Sequence, residues 1–497
     1  MINGFVPVQY FERKFDRMKM NTWFALLAAC LVTQTVSSAD KSLAWPRFRG
    51  PNGSGVAETA NPPVQFGPDK NVLWKIETPA GLSSPIVVGD NLVLTAFEDG
   101  KLYTVAYRRA DGKEAWRADA HAKKLEAFHK TEGSPATSTP ATDGERIVTY
   151  FGSCGFVCYN PAGKELWKYE MPPAAIVGDF GSGVSPIIAD GLVVLVRDEK
   201  TDSKVIALDA KTGALKWQQK RLSPSSYGTP VIWDAPGGKQ IAAVGHGRMI
   251  GYELRSGVEK WFVNGMPAGP CTSPVISEGT LFFAGGAATG PDDKEMQMPN
   301  FDAMLKDLDK DHDGALSREE AEAAFQGFFD NQDLNKDGKI TRDEWDTIIK
   351  FMAEGKNSAF ALKPGGTGDV SESHLLWKKT KGLPYIASGL VYRGQYITVK
   401  DGGIVTAYDT VSGREIFQER AIAPGRYFAS PVAANGNIYF TALDDGTVTV
   451  LKAGADKPEV VSTNPKLGER ASATPAIAGN TIFVRTAQHL YAFAERN

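Results

Sequence analysis

Cysteine is scarce in this chain, four among 497 residues, which is too few for a fold built on disulfides. If an export signal ends at Ala39, as argued below, Cys154, Cys158 and Cys271 remain. Cys154 and Cys158 are near enough to join across a tight turn, but buried thiols are the expectation. Histidine is equally unhelpful, because His121, His129, His246, His312, His374 and His489 show no metal-ligand spacing. A net charge of −3 gives no basis for nucleic-acid binding or for a strongly acidic substrate. Gly178-Asp179-Phe180-Gly181-Ser182-Gly183 lies between strand-like segments and not between a strand and a helix, so it reads as turn chemistry and not as a phosphate cradle. Asp179, Ser182, His129 and Lys130 are expected as loop residues along one face. No complete catalytic constellation is found, which leaves whether the chain is an enzyme open and favours a non-catalytic role.

Long apolar runs are also missing, with one exception. Lys19 precedes the stretch from Trp23 to Val36, which ends in Ser37-Ser38-Ala39-Asp40. A basic start, a short apolar run and small residues before the cut read as a secretory signal peptide over 1–39. Glu12 and Asp16 are unusual ahead of such a signal, so translation is expected to begin at Met18 or Met20. Leu27-Ala28-Ala29-Cys30 offers an alternative, a lipobox in which Cys30 is acylated, although the apolar run continues past it. The chain is therefore read as exported, periplasmic or extracellular, with membrane attachment only through a lipid on Cys30.

What the chain has in plenty is repetition. Pro85, Pro140, Pro186, Pro230, Pro274, Pro431 and Pro475 each open a β-branched strand after Ser or Thr, and Gly389 replaces the sixth of eight. Neighbouring markers lie about 44 residues apart, the length of a four-stranded propeller blade. The best copy of the unit's end is Val205-Ile206-Ala207-Leu208-Asp209-Ala210-Lys211-Thr212-Gly213-Ala214-Leu215-Lys216-Trp217. Asp accepts backbone hydrogen bonds in such a turn and Gly takes its positive φ. Trp116, Trp167, Trp217, Trp261 and Trp377 then fall on outer strands as packing residues. The last unit lacks that strand, and Asn71-Val72-Leu73-Trp74-Lys75 has one to spare. The expectation is an all-β, eight-bladed β-propeller: a lead-in over 40–70, ring over 71–290 and 368–497, and closure by the strand over 71–76.

The fifth unit is too long, and its excess over 291–367 switches to helical spacing: Phe301, Met304, Leu305 and Leu308, then Trp345, Ile348, Ile349 and Met352. Residues 301–350 carry 14 acidic against 7 basic side chains, which favours a cation. Two twelve-residue loops place oxygen donors at EF-hand spacing. The first offers Asp309, Asp311, Asp313, the carbonyl of Ala315, Ser317 and Glu320. The second offers Asp333, Asn335, Asp337, the carbonyl of Lys339, Thr341 and Glu344. Gly314 and Gly338 permit the sharp turn, so two Ca²⁺ sites are expected in a helical EF-hand insertion. The first loop has one more carboxylate and is expected to bind more tightly. The loops start only 24 residues apart, which leaves a single helix over about 320–331 and argues against strand-like pairing between them. Where Ca²⁺ is abundant such sites stay filled, so a structural staple is expected rather than a switch.

The motif Ala-x-Asp-x-x-Thr-Gly-x-x-x-Trp, carried at 207–217, and the opening Trp45-Pro46-Arg47-Phe48-Arg49-Gly50-Pro51-Asn52-Gly53 resemble the pyrroloquinoline-quinone-like (PQQ-like, quinoprotein dehydrogenase-like) β-propeller repeat family. The resemblance covers Trp45 to the end. It implies three classes of function: a calcium-stabilised scaffold holding a protein or polysaccharide on a propeller face, a quinone-dependent alcohol or sugar oxidoreductase, or an outer-membrane protein assembly lipoprotein. Quinoprotein dehydrogenases of this fold commonly hold their cofactor beside two adjacent cysteines. This chain has no such pair, which argues against pyrroloquinoline quinone.

Overall fold

The computed structural model describes residues 44–286, 299–325 and 329–495. The signal-peptide features, from the starts at Met18 or Met20 through Cys30 to Ala39, lie outside the described residues. Among those described, no helix is long and apolar enough to cross a membrane.

Eight sheets, each built on four antiparallel strands, follow one another around a ring. In the first, strands Ile86–Val88, Asn91–Glu98, Lys101–Arg108 and Glu114–Asp119 run from the inside outwards. The inner three are buried along nearly their whole length, and the outer strand is mostly exposed. The eighth takes Ala476–Ala478, Thr481–Arg485 and His489–Phe493 from the C-terminal end and Val72–Glu77 from the N-terminal end. Ile76 lies opposite Leu490 and Lys75 opposite Tyr491 in that last pairing. Sharing one sheet between the two ends removes the open edges that a broken ring would expose.

The outer-strand tryptophans dock each blade on the next. The indole N–H groups of Trp74, Trp116, Trp167, Trp217 and Trp377 donate to the carbonyls of Arg109, Pro161, Ala210, Leu254 and Thr410, at 2.8 to 3.1 Å. Each acceptor belongs to the turn before the next blade's outer strand. The ring also lies flat on that turn's glycine: a Cβ on Gly213 would stand 2.6 Å from Trp167, and one on Gly257 2.4 Å from Trp217. In the same turn Asp209 accepts the backbone N–H groups of Lys211 and Thr212 and the Thr212 hydroxyl. At about 150–250 Å² per indole, burial contributes roughly 4–6 kcal/mol for each fully covered ring. Trp261 departs from the pattern, donating to Gln240 of its own blade at 2.6 Å and packing edge-on against Trp233.

At the inner strands the ring is stitched by hydroxyls. The backbone N–H of Ser84 donates to the Thr139 hydroxyl, Thr139 to Ser185, Ser185 to Thr229, and Thr229 to Ser273. Ser273 then donates to Ser388, Ser388 to Ser430, Ser430 to Thr474, and Thr474 back to Ser84. The circle closes with all eight bonds between 2.9 and 3.1 Å. Seven of the eight precede a proline, which holds them extended and presents the N–H to the neighbouring blade.

On one side of this circle lies the lead-in, bound to inner strands just past the prolines. The carbonyls of Trp45 and Pro46 accept from Val87 and Thr142, and Ala433 exchanges bonds with Gly55 and Ala57. The Asn52 side chain bonds both N–H and C=O of Ile232. The segment thus ties four blades together, with Trp45 and Arg49 completely buried.

On the other side lies the insertion, between the second and third strands of blade 5, Thr280–Gly285 and Ser358–Leu362. The ring resumes at Ser358, inside the span 291–367 expected for the guest. Ser358–Leu362 is a short, fully buried strand, whose run of small and apolar residues carries no alternation to betray it. Gly368–Asp369 adds a fifth, parallel strand to the outer edge of blade 4.

A candidate calcium centre over the channel

Among the described residues, the insertion holds four helices: α1 (Phe301–Leu308), α2 (Arg318–Phe325), α3 (Phe329–Gln332) and α4 (Arg342–Glu354). Phe301, Met304, Leu316, Ala321, Phe329, Ile340 and Trp345 make a core of their own. Asn300 caps α1 by accepting the Asp302 N–H, and the Trp345 indole donates to the Pro299 carbonyl at 3.1 Å. The span expected as a single helix over about 320–331 is helical at Arg318–Phe325 and at Phe329–Gln332, and residues 326–328 between them lie outside the described residues.

The loop pairing that the short spacing argued against is present. Leu316 lies opposite Ile340 and Ser317 opposite Lys339 in a two-stranded ladder. Leu316 and Ile340 are both completely buried, so apolar burial at the eighth position of each loop holds the pair despite the short connection.

In the first loop the carboxylate oxygens of Asp309, Asp311 and Asp313 lie within 4.8 Å of one another. The Gly314 N–H donates to Asp309 Oδ2 at 3.1 Å, and Asp309 Oδ1 is buried with no partner. Ser317 and Glu320 form a capping box at the start of α2: Glu320 accepts the Ser317 N–H and hydroxyl at 2.9 and 2.7 Å, and the Lys310 N–H at 2.7 Å. These bonds, the Ser317 hydroxyl's first, pull its carboxyl down to about 2, so it is ionised throughout the neutral range.

The second loop repeats this geometry. Gly338 and Asp337 N–H groups donate to Asp333, and Asp337 also donates to Asn335. Glu344 accepts from Leu334, Asn335 and Thr341. Asp333 and Glu344 are buried, while Asn335 and Asp337 face outward. Ala315 and Lys339 stand at the positions that offer carbonyls. A hard cation needs several oxygens and a deep carboxylate without a competing donor, and the orphaned Asp309 Oδ1 among oxygen-bearing residues meets that need. The residues fit Ca²⁺.

One feature of the pair had no sequence signal. The Lys339 ammonium, at a position that contributes only its backbone, reaches across to Asp313 of the first loop. This contact lowers the Asp313 pKa and neutralises part of the first loop's charge.

The insertion stands over the channel. A cavity of about 1910 Å³ runs beneath it, lined by Phe325, Leu334, Trp345 and Ile348 from the module and by Phe48, Tyr227 and Phe428 from the ring and lead-in. Of the loop residues expected along one face, Ser182 lines the cavity and bonds Glu126, and Asp179 joins the ring to the module. His129 stacks on Phe180 with centroids 5.6 Å apart. Lys130 is not among the lining residues. Cys154 and Cys158 are buried free thiols, and Cys271 is a free thiol in the lining.

A family profile described as outer membrane protein assembly factor BamB matches residues 104–288 and 361–497. The chain belongs to this family. An EF-hand profile matches 301–321 and 325–349, so the BamB-family match is interrupted where the EF-hand match falls. The outer membrane protein assembly factor BamB of Burkholderia pseudomallei (strain K96243) is 23% identical over 446 residues, 86% of this chain and 88% of its own. The crystal structure of BamB from Moraxella catarrhalis superposes with a TM-score of 0.53 at 12% identity, covering 86% of this chain and 98% of the other. A europium-containing methanol dehydrogenase gives 0.55 at 9% identity, covering 89% and 96%. At such identities these structures attest the propeller fold alone.

The dehydrogenase likeness raises the question of a quinone in the channel. Of the carboxylates lining this cavity, Glu132 is taken by Arg470 at 2.6 Å and Arg426 at 3.4 Å. Asp401 remains, accepting the Tyr427 N–H at 2.8 Å, with a pKa raised by burial. One carboxylate and one thiol, Cys271, do not fit a quinone held with a divalent ion beside paired cysteines. The residues suited to a metal stand in the insertion above.

Proposed function

We propose that the chain is an exported interaction scaffold of the assembly-factor kind, whose propeller carries two calcium ions in its insertion. The orphaned, buried Asp309 Oδ1 inside a ring of oxygen donors carries this reading. Asp309, Asp311, Asp313, Ser317, Glu320 and the Ala315 carbonyl would hold one ion. Asp333, Asn335, Asp337, Thr341, Glu344 and the Lys339 carbonyl would hold the other. Bound calcium supplies charge that relieves repulsion among these carboxylates. Each loop then ties the helix before it to the helix after it, and the ladder at Leu316 and Ile340 ties the two loops. Export follows from the signal read over 1–39, or from acylation of Cys30. A protein of the outer-membrane assembly apparatus is the partner favoured by family membership.

Titration calorimetry of the mature protein with Ca²⁺ is expected to show two sites, reduced to one by Asp309→Ala or by Asp333→Ala. At calcium 100-fold above the dissociation constant, each occupied site should stabilise the module by about 2.7 kcal/mol. No heat of binding, or an unchanged stoichiometry in both variants, would overturn the calcium part. Failure to co-purify with outer-membrane barrel proteins from envelopes would overturn the scaffold part.

A further inference from the structure

The EF-hand module meets the ring at two supports. Its root is blade 5, where the Gly286 N–H donates to the Pro384 carbonyl and the Lys356 N–H to the Met266 carbonyl, both at 2.9 Å. Its far end rests on the 3₁₀ turn Val177–Asp179, in the connection between blades 2 and 3, against which α3 packs. There the Lys336 ammonium lies 3.0 Å from Asp179 Oδ2. Asp179 is held in place by Lys200 at 3.2 Å. The cavity lies between the two supports.

Lys336 is the fourth residue of the second loop, flanked by Asn335 and Asp337, two of its candidate ligands, and its φ of 64° is left-handed. His312, at the same position of the first loop, has a φ of 58°, so the turn of the twelve-residue loop itself sets this conformation and aims the fourth side chain outward. An ion gripping positions 3 and 5 would fix the backbone of position 4 and leave its side chain to reach outward. Without an ion, the charges of Asp333, Asp337 and Glu344 would oppose one another and loosen the segment. The cost of ordering Lys336 against Asp179 then falls on a pair that is itself weak, being partly exposed.

We propose that the second loop is a calcium-set latch: metal binding there holds Lys336 on Asp179 and keeps the module closed over the channel, and metal loss opens the cavity. The latch rests on the calcium reading above but demands more of it, because it couples one site to access at another.

Cys271 reports the state of the cavity, since it lies in the lining while Cys154 and Cys158 are buried. In the full chain carrying Cys30→Ser, maleimide labelling of Cys271 should be slow in calcium and about fivefold faster in EGTA, the factor that loss of one partly exposed ion pair provides. Lys336→Gln and Asp179→Asn should each label at the EGTA rate even in calcium, and Cys271→Ser should remove the signal. Calorimetry on the same samples separates the two levels of failure. Calcium uptake by the second loop with equal labelling rates in calcium and EGTA overturns the latch and spares the site. Labelling of Lys336→Gln as slow as the parent in calcium overturns it as well. Absence of uptake overturns the calcium reading and the latch together.

Discussion

Glu126 is almost fully buried, accepts the backbone N–H and hydroxyl of Ser182 at 3.1 and 2.7 Å, and leaves Oε1 without a partner. Burial pushes its carboxyl up to about 7, against the opposing pull of Ser182. An unfolded Glu titrates near 4.3. The folded state therefore prefers the neutral acid, and this favourable preference is complete below about pH 4 and lost as pH rises through 7. Glu126→Gln removes the cost of ionising, and should stabilise the protein by about 3 kcal/mol at pH 8 and by nothing near pH 4. Urea unfolding at both pH values checks this, and equal effects at the two would refute it. No sequence signal singles out Glu126, because the burial that raises its pKa is made by distant parts of the chain, Ser182 among them 56 residues away. The twelve loop donors are different. In the first loop the spacing alone brings Asp309, Asp311 and Asp313 within 4.8 Å of one another, since a twelve-residue loop with glycine at its sixth position closes locally.

At the scale of the element, the unit of construction is an indole lying on the next blade's glycine. Gly213→Ala places a methyl 2.6 Å from Trp167 and strains a φ of 73°. Gly191→Ala strains a similar φ of 76° with nothing within 4 Å. The first should cost about 2–4 kcal/mol and the second only the strain, about 1–2 kcal/mol. Denaturant midpoints of the two variants separate packing from strain, and equal losses would show that the indole contact contributes nothing. The outer-strand position of these tryptophans was legible from their spacing. The different role of Trp261 was not, because it depends on Trp233 beside it and on Gly251, which leaves room for its ring. Chain spacing alone argues against the ladder between the loops, and the burial of Leu316 and Ile340, which spacing does not carry, outweighs it.

At the scale of the molecule, closure depends on residues from both ends of the chain. A protein beginning at residue 58 loses the lead-in's bonds to blades 1, 2, 4 and 7 yet keeps the outer strand Val72–Glu77. One beginning at 78 loses that strand too, leaving the His489–Phe493 edge bare. The first should remain a soluble monomer with a lowered unfolding temperature, and the second should aggregate through the unpaired edge. Size-exclusion chromatography and thermal scans distinguish them, and a monomeric, cooperative second truncation would refute closure as the source of stability.

The amino-acid sequence by itself determined the number and period of the blades and the presence of an EF-hand guest in the fifth, because each follows from contacts within a repeat or a loop. Only the tertiary structure decided that the eight Ser and Thr residues preceding the proline and glycine markers complete a circle of hydrogen bonds, and that Lys336 meets Asp179 over the channel. Those contacts join distant parts of the chain. Their partners are set by how the blades curve round to meet, and local spacing carries no record of that curvature.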